Sequence, residues 1–386
     1  MLVYNHRSSE EGIIDARRGF ISRLFLLASK AYLKFSADAE YGYQYQCLSL
    51  MSHPMLLLQK VGFKPDIIIT HNLSHFVSPS DLLALHRQTS APVIFNLLDL
   101  SLLTGGCHYA WDCRGYERNC GRCPCLRFSS ENDYSRTVWT RKSEAFKLLR
   151  GTVVAPTSLL LEQVSRSSIF RNWPCEKVML GVEPDVFTPS SRREARLKLG
   201  LPPDSKVIFF GAQLLSQKRK GMVYLIDALN ILSEQGFFAA NNAIAVCAGN
   251  GDGISELLDK NVPIQSLGFL HGDASLALAY NAADVFACPS IEDSGPMMIN
   301  ESIMCGTPVV AFRMGVADDL IINDETGYIA ALRDSKDLAY GIERILSQDS
   351  SGAKAMSDRC RAKALGLCHP ASQISSFIAI CERNIL

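Results

Sequence analysis

Two acids eight positions apart and a run of three cations are the residues of this chain with the clearest chemical potential. Asp293 stands in Pro289-Ser290-Ile291-Glu292-Asp293-Ser294-Gly295-Pro296, and Glu301 precedes Cys305-Gly306-Thr307-Pro308-Val309-Val310. Ser294 or Gly295 suits a helix cap, and Pro296 suits the first helical position, followed by Met297. Such a helix start aims free N–H groups and a positive dipole end at an anion, which suits a phosphate. If the stretch between the acids is helical, they lie roughly 12 Å apart. One carboxylate then reaches a sugar and the other a ribose, with a diphosphate between them. The plainer alternative is a helix with two surface acids.

Lys218-Arg219-Lys220-Gly221 is expected to open another helix. Three cations there oppose the helix dipole unless an anion is present. Arg219 offers a planar fork and Lys220 a point charge. Together they suit the negative charge that develops on a departing nucleoside diphosphate. A solvated charge run is the other reading. Gly211-Ala212-Gln213 follows a strand-like run, and Gly249-Asn250-Gly251-Asp252-Gly253 follows another. The second lacks the G-x-G-x-x-G spacing, so it reads as a tight loop near the phosphates.

The first half carries its own candidates. His71 ends one strand-like run, and Leu97-Leu98-Asp99 ends the next. Thr104-Gly105-Gly106-Cys107-His108-Tyr109 then leads to Cys113, Cys120, Cys123 and Cys125. Cys120-Gly121-Arg122-Cys123 has C-x2-C spacing, and Cys107 and Cys113 complete four thiolates for a structural zinc. Reduced thiols or a labile disulfide are the alternatives. No cofactor is expected for catalysis.

These residues need elements to hold them. Apolar runs at 66–70, 92–95, 152–155, 207–210, 243–247, 285–288 and 309–312 alternate with amphipathic stretches such as 78–89 and 222–235. That alternation predicts an α/β protein with parallel sheets. A Pro- and Ser-bearing connector near Gly181 divides it into residues 1–180, with a Cys-rich insertion at 104–127, and residues 181–370, before a last helix at 371–386.

From about residue 65 to 345 the chain resembles the family-four retaining glycosyltransferases, whose hallmark is P-S-x-x-E-x7-E-A-x-A-x-G-x-P-V-V. Pro289-Ser290, Asp293, Glu301-Ser302 and Cys305 to Val310 carry the likeness, with Asp293 replacing the first Glu. The T-G-G-C-H-Y segment is similar to that of capsule and O-antigen members. The resemblance implies a GT-B fold, two Rossmann-like domains facing across a cleft, with the last helix crossing back onto the first. It implies transfer of a sugar, with retained anomeric configuration, from a UDP- or GDP-sugar to a lipid-linked or oligosaccharide acceptor.

In that reading Asp293, Arg219 and Lys220 are catalytic. Gly211, Gln213, Gly249, Phe269, Ser294, Gly295, Pro296, Met297 and Glu301 bind the donor, Phe269 near the base. His71, Asp99, Gly105 and Gly106 face the acceptor. The chain departs from the family in three places. Gln213 stands where many members carry Arg, and Leu98 stands where many carry a sugar-facing His. Met1-Leu2-Val3-Tyr4 looks like the family's second strand, so the first strand and its Gly-rich loop are expected to be missing.

Composition agrees with an enzyme of this kind. The chain has 386 residues, a formal net charge of zero and 47% hydrophobic residues, without the basic excess of a nucleic-acid binder. Thirteen cysteines, several in apolar runs, favour a reducing cytoplasm. No signal-peptide layout or membrane-length apolar run is read. Arg17, Arg18 and Arg23 beside Phe20, Leu24 and Leu26 suit either a peripheral helix on an anionic membrane or a core helix with a cationic outer face. Two other functions keep the same fold, transfer to a small-molecule acceptor and a degenerate scaffold without transfer activity.

Overall fold

The computed structural model describes residues 2–3, 14–15, 27–28, 31, 35–44, 54–74, 76–251 and 254–385. The chain forms two compact units. One comprises Met1–Pro156, Leu160–Val178 and Ser376–Leu386, and the other Thr157–Leu159 and Met179–Ser375.

In the first unit, β1 (Leu2–Val3) and β2 (Ile14–Asp15) pair parallel. A separate parallel sheet orders β3 (Ile68–Thr70), β4 (Val93–Asn96), β5 (Gly151–Ala155) and β6 (Cys175–Lys177) consecutively. The helix Pro79–Thr89 between β3 and β4 starts on a capping box, with Ser78 and Asp81 each satisfying the other's backbone N–H. Tyr134–Phe146 starts on Asp133, whose carboxylate accepts from the Ser135 and Arg136 amides. Phe95 of β4 packs against Phe146, Phe170 and Trp173 on one side of the sheet. Ile94, the next residue along β4, joins Val154, Val178 and Ile380 of the C-terminal helix Pro370–Ile385 in a second cluster. The expectation of a missing first strand and loop, and the basic apolar stretch at 17–26, lie outside the described residues.

The second unit holds six parallel strands, β7 (Lys206–Leu214), β8 (Ala243–Asn250), β9 (Ile264–Ser266), β10 (Val285–Cys288), β11 (Val309–Phe312) and β12 (Gly327–Ala330). Their order is β12-β11-β10-β7-β8-β9. The strands β10 and β11 are buried along their whole length, as expected of strands covered by helices on both faces. The chain runs outward from β7 through β9, then returns to the other side of β7 at β10. Ligands of open α/β sheets sit beyond the strand C-termini at such a reversal. The loops after β7 and β10 carry Arg219, Lys220 and Asp293.

An 18-residue window within Ser350–Ile385 has a mean hydropathy of 1.3, long and apolar enough for a membrane span by length and composition alone. This differs from the sequence expectation that no such run exists. The structure divides it into the helices Ser350–Leu367 and Pro370–Ile385, because Pro370 cannot continue the first.

Candidate active site

The loops after β7 and β10 are held against each other by backbone. Lys218–Lys220 forms a short 3-10 turn, and the helix Met222–Glu234 begins only after Gly221. The three cations therefore precede that helix and do not form its first turn. Gly221 has φ +66°, and a Cβ there would stand 1.9 Å from the Pro289 carbonyl oxygen. No other residue type fits this approach without displacing the loop. The amides of Ile291 and Glu292 then donate to the Arg219 carbonyl at 2.9 and 3.3 Å.

That bracing brings three charged side chains together. Arg219 Nη1 and Lys220 Nζ both donate to Asp293 Oδ2, at 2.8 and 2.7 Å. Asp293 Oδ1 accepts from the Gly295 amide at 3.2 Å. The side chains are 18%, 17% and 12% exposed, so the ions interact where water screens little. Burial alone would raise the Asp293 pKa. Lys220 and then Arg219 outweigh it and hold the carboxyl below its ordinary range. The trio carries one more positive than negative charge, beside a helix start with no side-chain cap.

A second uncapped helix start lies next to it. Met297–Met304 begins on Pro296, and no side chain caps it. This corrects the expected cap by Ser294 or Gly295, and it places Pro296 at the cap, one position before Met297. Ser294 is buried, and its carbonyl is taken by the Thr157 hydroxyl at 3.0 Å. Asp293 thus sits in the loop and Glu301 in the helix, so the 12 Å spacing of a continuous helix does not apply. Tyr280 donates its hydroxyl to Glu301 Oε2 at 2.8 Å. Burial raises the Glu301 pKa, and the Tyr280 bond offsets only part of that rise. Sequence reasoning missed Tyr280 and Thr157, because neither lies near the motif in the chain.

Gly211 and Gln213 belong to β7 itself, where Gly211 pairs with Ala248 and the register turns irregular between Ala212 and Leu214. Gln213 is exposed. The Gly249 amide donates to the Gly268 carbonyl at 2.9 Å, tying the end of β8 to the loop that carries Phe269. Phe269 is 40% exposed and stands edge-on to His271, with ring centroids 4.8 Å apart. An exposed aromatic on a loop beyond a strand end can stack a base. Asp252 and Gly253 lie outside the described residues.

Residues 191–364 match the family Glycosyl transferases group 1. That segment is similar to group 1 glycosyltransferases. It lies within the second unit and covers just under half of the chain. An uncharacterized glycosyltransferase, MJ1607, of Methanocaldococcus jannaschii is 31% identical over 208 residues, 50% of each chain. A D-inositol 3-phosphate glycosyltransferase of Mycobacterium marinum is 28% identical over 185 residues, 47% of this chain and 39% of that one. The chain thus spans about half or less of the curated relatives it matches.

Among solved structures, sucrose-phosphate synthase of Thermosynechococcus elongatus aligns over 85% of this chain and 76% of its own, with TM-score 0.64 and 19% identity. HepE of Anabaena, in complex with UDP and glucose, aligns over 95% and 84%, with TM-score 0.58 and 17% identity. At these identities the likeness is one of fold, the α/β GT-B fold with two parallel sheets.

The first unit lies outside the group 1 domain match, and its candidates fall into separate clusters. His71 Nδ1 is 2.8 Å from Asn96 Nδ2, across the ends of β3 and β4. Leu98 is exposed. Asp99 Oδ2 meets His108 Nδ1 at 2.6 Å, and Asp99 Oδ1 accepts from the Ser101 amide at 2.7 Å. Burial would raise the Asp99 pKa, and His108 and Ser101 together lower it past that. His108 Nε2 is buried with no partner, a group that sequence reasoning passed over. Gly105 and Gly106 are buried, which differs from their expected place facing an acceptor. Gly106 has φ +134°, with the Tyr43 ring where its Cβ would be, and the Tyr43 hydroxyl donates to the Gly105 carbonyl at 2.7 Å. Their smallness serves packing.

Cys107, Cys113, Cys120 and Cys123 line one cavity, and all are free thiols. Cys120 Sγ accepts from the Gly105 amide and Cys113 Sγ from the Gly115 amide. Among the described residues no three His, Cys, Asp or Glu groups stand close enough together to hold a metal ion. The zinc set expected from spacing is therefore not assembled as it stands.

Proposed function

We propose that this chain transfers a sugar from a nucleoside-diphosphate donor, using the site at the ends of β7 and β10. The observation that carries the reading is the shared Asp293 carboxylate. Arg219 and Lys220 are gathered on one oxygen between two uncapped helix starts, where a diphosphate is the anion of matching charge and reach. When the donor binds, its phosphates take up Arg219 and Lys220, and Asp293 turns to the sugar hydroxyls. The two cations then stabilise the charge left on the nucleoside diphosphate as the glycosidic bond breaks. Glu301, ionised, accepts from the ribose hydroxyls, and Phe269 flanks the base. Retention of configuration is implied by the family resemblance, and UDP is favoured as the carrier by the HepE complex.

The acceptor in this reading is a growing lipid-linked glycan, met by a cytoplasmic enzyme at the membrane face. Its support is the cationic, apolar pattern around residues 17–34 and the T-G-G-C-H-Y likeness. A small phosphorylated acceptor is the second reading, favoured by relatives that carry the name D-inositol 3-phosphate glycosyltransferase. Calorimetric titration with UDP, GDP, ADP and their sugar conjugates tests the donor site. Selective binding of one nucleotide, abolished in Glu301→Ala, is expected. A folded protein that binds none of them overturns the transferase reading and leaves the scaffold role.

A further inference from the structure

The thiol-lined cavity in the first unit stands apart from the donor chemistry. Its volume is about 20 Å³, and Cys107, Cys113, Cys120 and Cys123 all face it. That is room for about one water-sized sphere. The turn at residues 120–122 holds φ values of +48°, +87° and +46°, left-handed even at Cys120 and Arg122. Side chains rarely accept this conformation, and it persists only where the surroundings fix it. The turn's own amides are held: Arg122 donates to the Ser130 carbonyl at 2.6 Å and Gly121 to the Ser135 hydroxyl at 3.0 Å. The next amide, of Cys123, donates at 2.8 Å to Asp133 Oδ2, and Asp133 also caps the helix Tyr134–Phe146.

Two of the sulfurs already have the outer contacts that support a metal-bound thiolate. The Gly105 amide donates to Cys120 Sγ at 3.2 Å, and the Gly115 amide to Cys113 Sγ at 3.4 Å. Lys142 is buried and donates to the carbonyls of Ser101 and Thr104, which places an ammonium beside the Gly105 end of the cavity. A dianionic tetrathiolate centre benefits from such a neighbour. The fifth cysteine of the segment does not line the cavity: the Cys125 thiol lies against Cys123 and points to the Asp38 carbonyl at 3.6 Å.

We propose that Cys107, Cys113, Cys120 and Cys123 bind one zinc ion, which locks the 104–127 segment. The sulfurs are not yet at ion-holding distance, but each swings on one side-chain bond, so thiols lining a single cavity meet one ion by a change of rotamer. Four thiols release their protons to water as four zinc–sulfur bonds form, closing a tetrahedral structural site. The inference is independent of the donor site and survives or fails on its own.

Metal analysis of the full chain, purified reduced and dialysed against zinc, tests it. One equivalent of zinc is expected in the unaltered chain and in Cys125→Ser, with loss in Cys107→Ser and Cys120→Ser. Because those two variants can misfold, the unaltered chain is also titrated with cobalt(II), where a thiolate-to-cobalt charge-transfer band with a tetrahedral d–d spectrum is expected. A folded, reduced protein that takes up no metal overturns the proposal. So does a disulfide between two of the four cysteines, or loss of zinc in Cys125→Ser.

Discussion

The Tyr280 hydroxyl rests 2.8 Å from Glu301 Oε2, donating to a carboxylate that burial pushes toward its neutral form. The two residues are 21 positions apart, and Tyr280 is itself fully buried against Phe209 and Phe286. A hydroxyl donor from a bound ribose would need Glu301 ionised. Nucleotide affinity is therefore expected to rise as pH rises through the elevated Glu301 pKa, and binding is expected to pull that pKa down. Tyr280→Phe keeps the ring and removes the donor, so the midpoint should move to higher pH. A hydrogen bond to a charged group is worth about 1.5–3 kcal/mol, so the affinity loss should reach roughly 10- to 100-fold between the two midpoints and close where Glu301 is ionised in both proteins. Calorimetry across pH on both proteins reads this directly. An unchanged midpoint would detach Tyr280 from the site.

Stability carries the opposite sign at the two acids. Glu301 has a raised pKa in the fold, so its contribution is complete below the unfolded carboxylate value and is lost as pH rises through the folded one. Asp293 is depressed, so its contribution is present above the unfolded value and is lost as pH falls through the folded one. Replacing Asp293 by Asn should lower the melting temperature at neutral and alkaline pH, where that contribution is present, and so flatten the acid side of the profile.

The same Asp293→Asn variant separates binding from transfer. It weakens the carboxylate that competes with a diphosphate for Arg219 and Lys220, so UDP affinity should hold or increase. Transfer should drop about 10- to 100-fold, the cost of a charged hydrogen bond to the sugar. Arg219→Ala should instead lower both, with turnover down on the order of 10²- to 10³-fold as a donor to the leaving group is lost. Equal losses of UDP binding in the two variants would contradict the roles given to them.

Gly221→Ala is expected to be severe for so small a change. The added methyl meets the Pro289 carbonyl in a left-handed backbone position. The loop must shift, at a cost of about 1–3 kcal/mol, and the Arg219 and Lys220 contacts to Asp293 shift with it. Thermal denaturation should show the destabilisation, and a titration with UDP should show the weakened site.

Much of the second unit was legible from sequence because its strands are covered on both faces. Runs such as Val285 to Cys288 and Val309 to Phe312 carry no polar residue to blur them. The cation run and the acid-bearing loop were visible for the same local reason, unusual residue types at a helix start. What joins them was not. Arg219 and Asp293 are 74 positions apart, and their meeting depends on sheet order and on the approach at Gly221. The cap expected at Ser294 or Gly295 was misread because the helix starts only at Met297, which leaves Pro296 at the cap, while Ser294 lies in the loop with its carbonyl held by Thr157, 137 positions away. Gly105 and Gly106 looked like a ligand loop, because sequence does not tell a glycine that admits a substrate from one that admits Tyr43.

The cluster of Ile94, Val154, Val178 and Ile380 sets an order of events during synthesis. Three of its members emerge from the ribosome in the first half of the chain, and the fourth only after the whole second unit has been made. Until then one face of the β4–β5 pair lacks its cover. A nascent first unit must therefore wait, partly open, for residues 376–385 to arrive. Ribosome-bound chains halted before residue 376 are expected to recruit holdase chaperones that the released protein does not need.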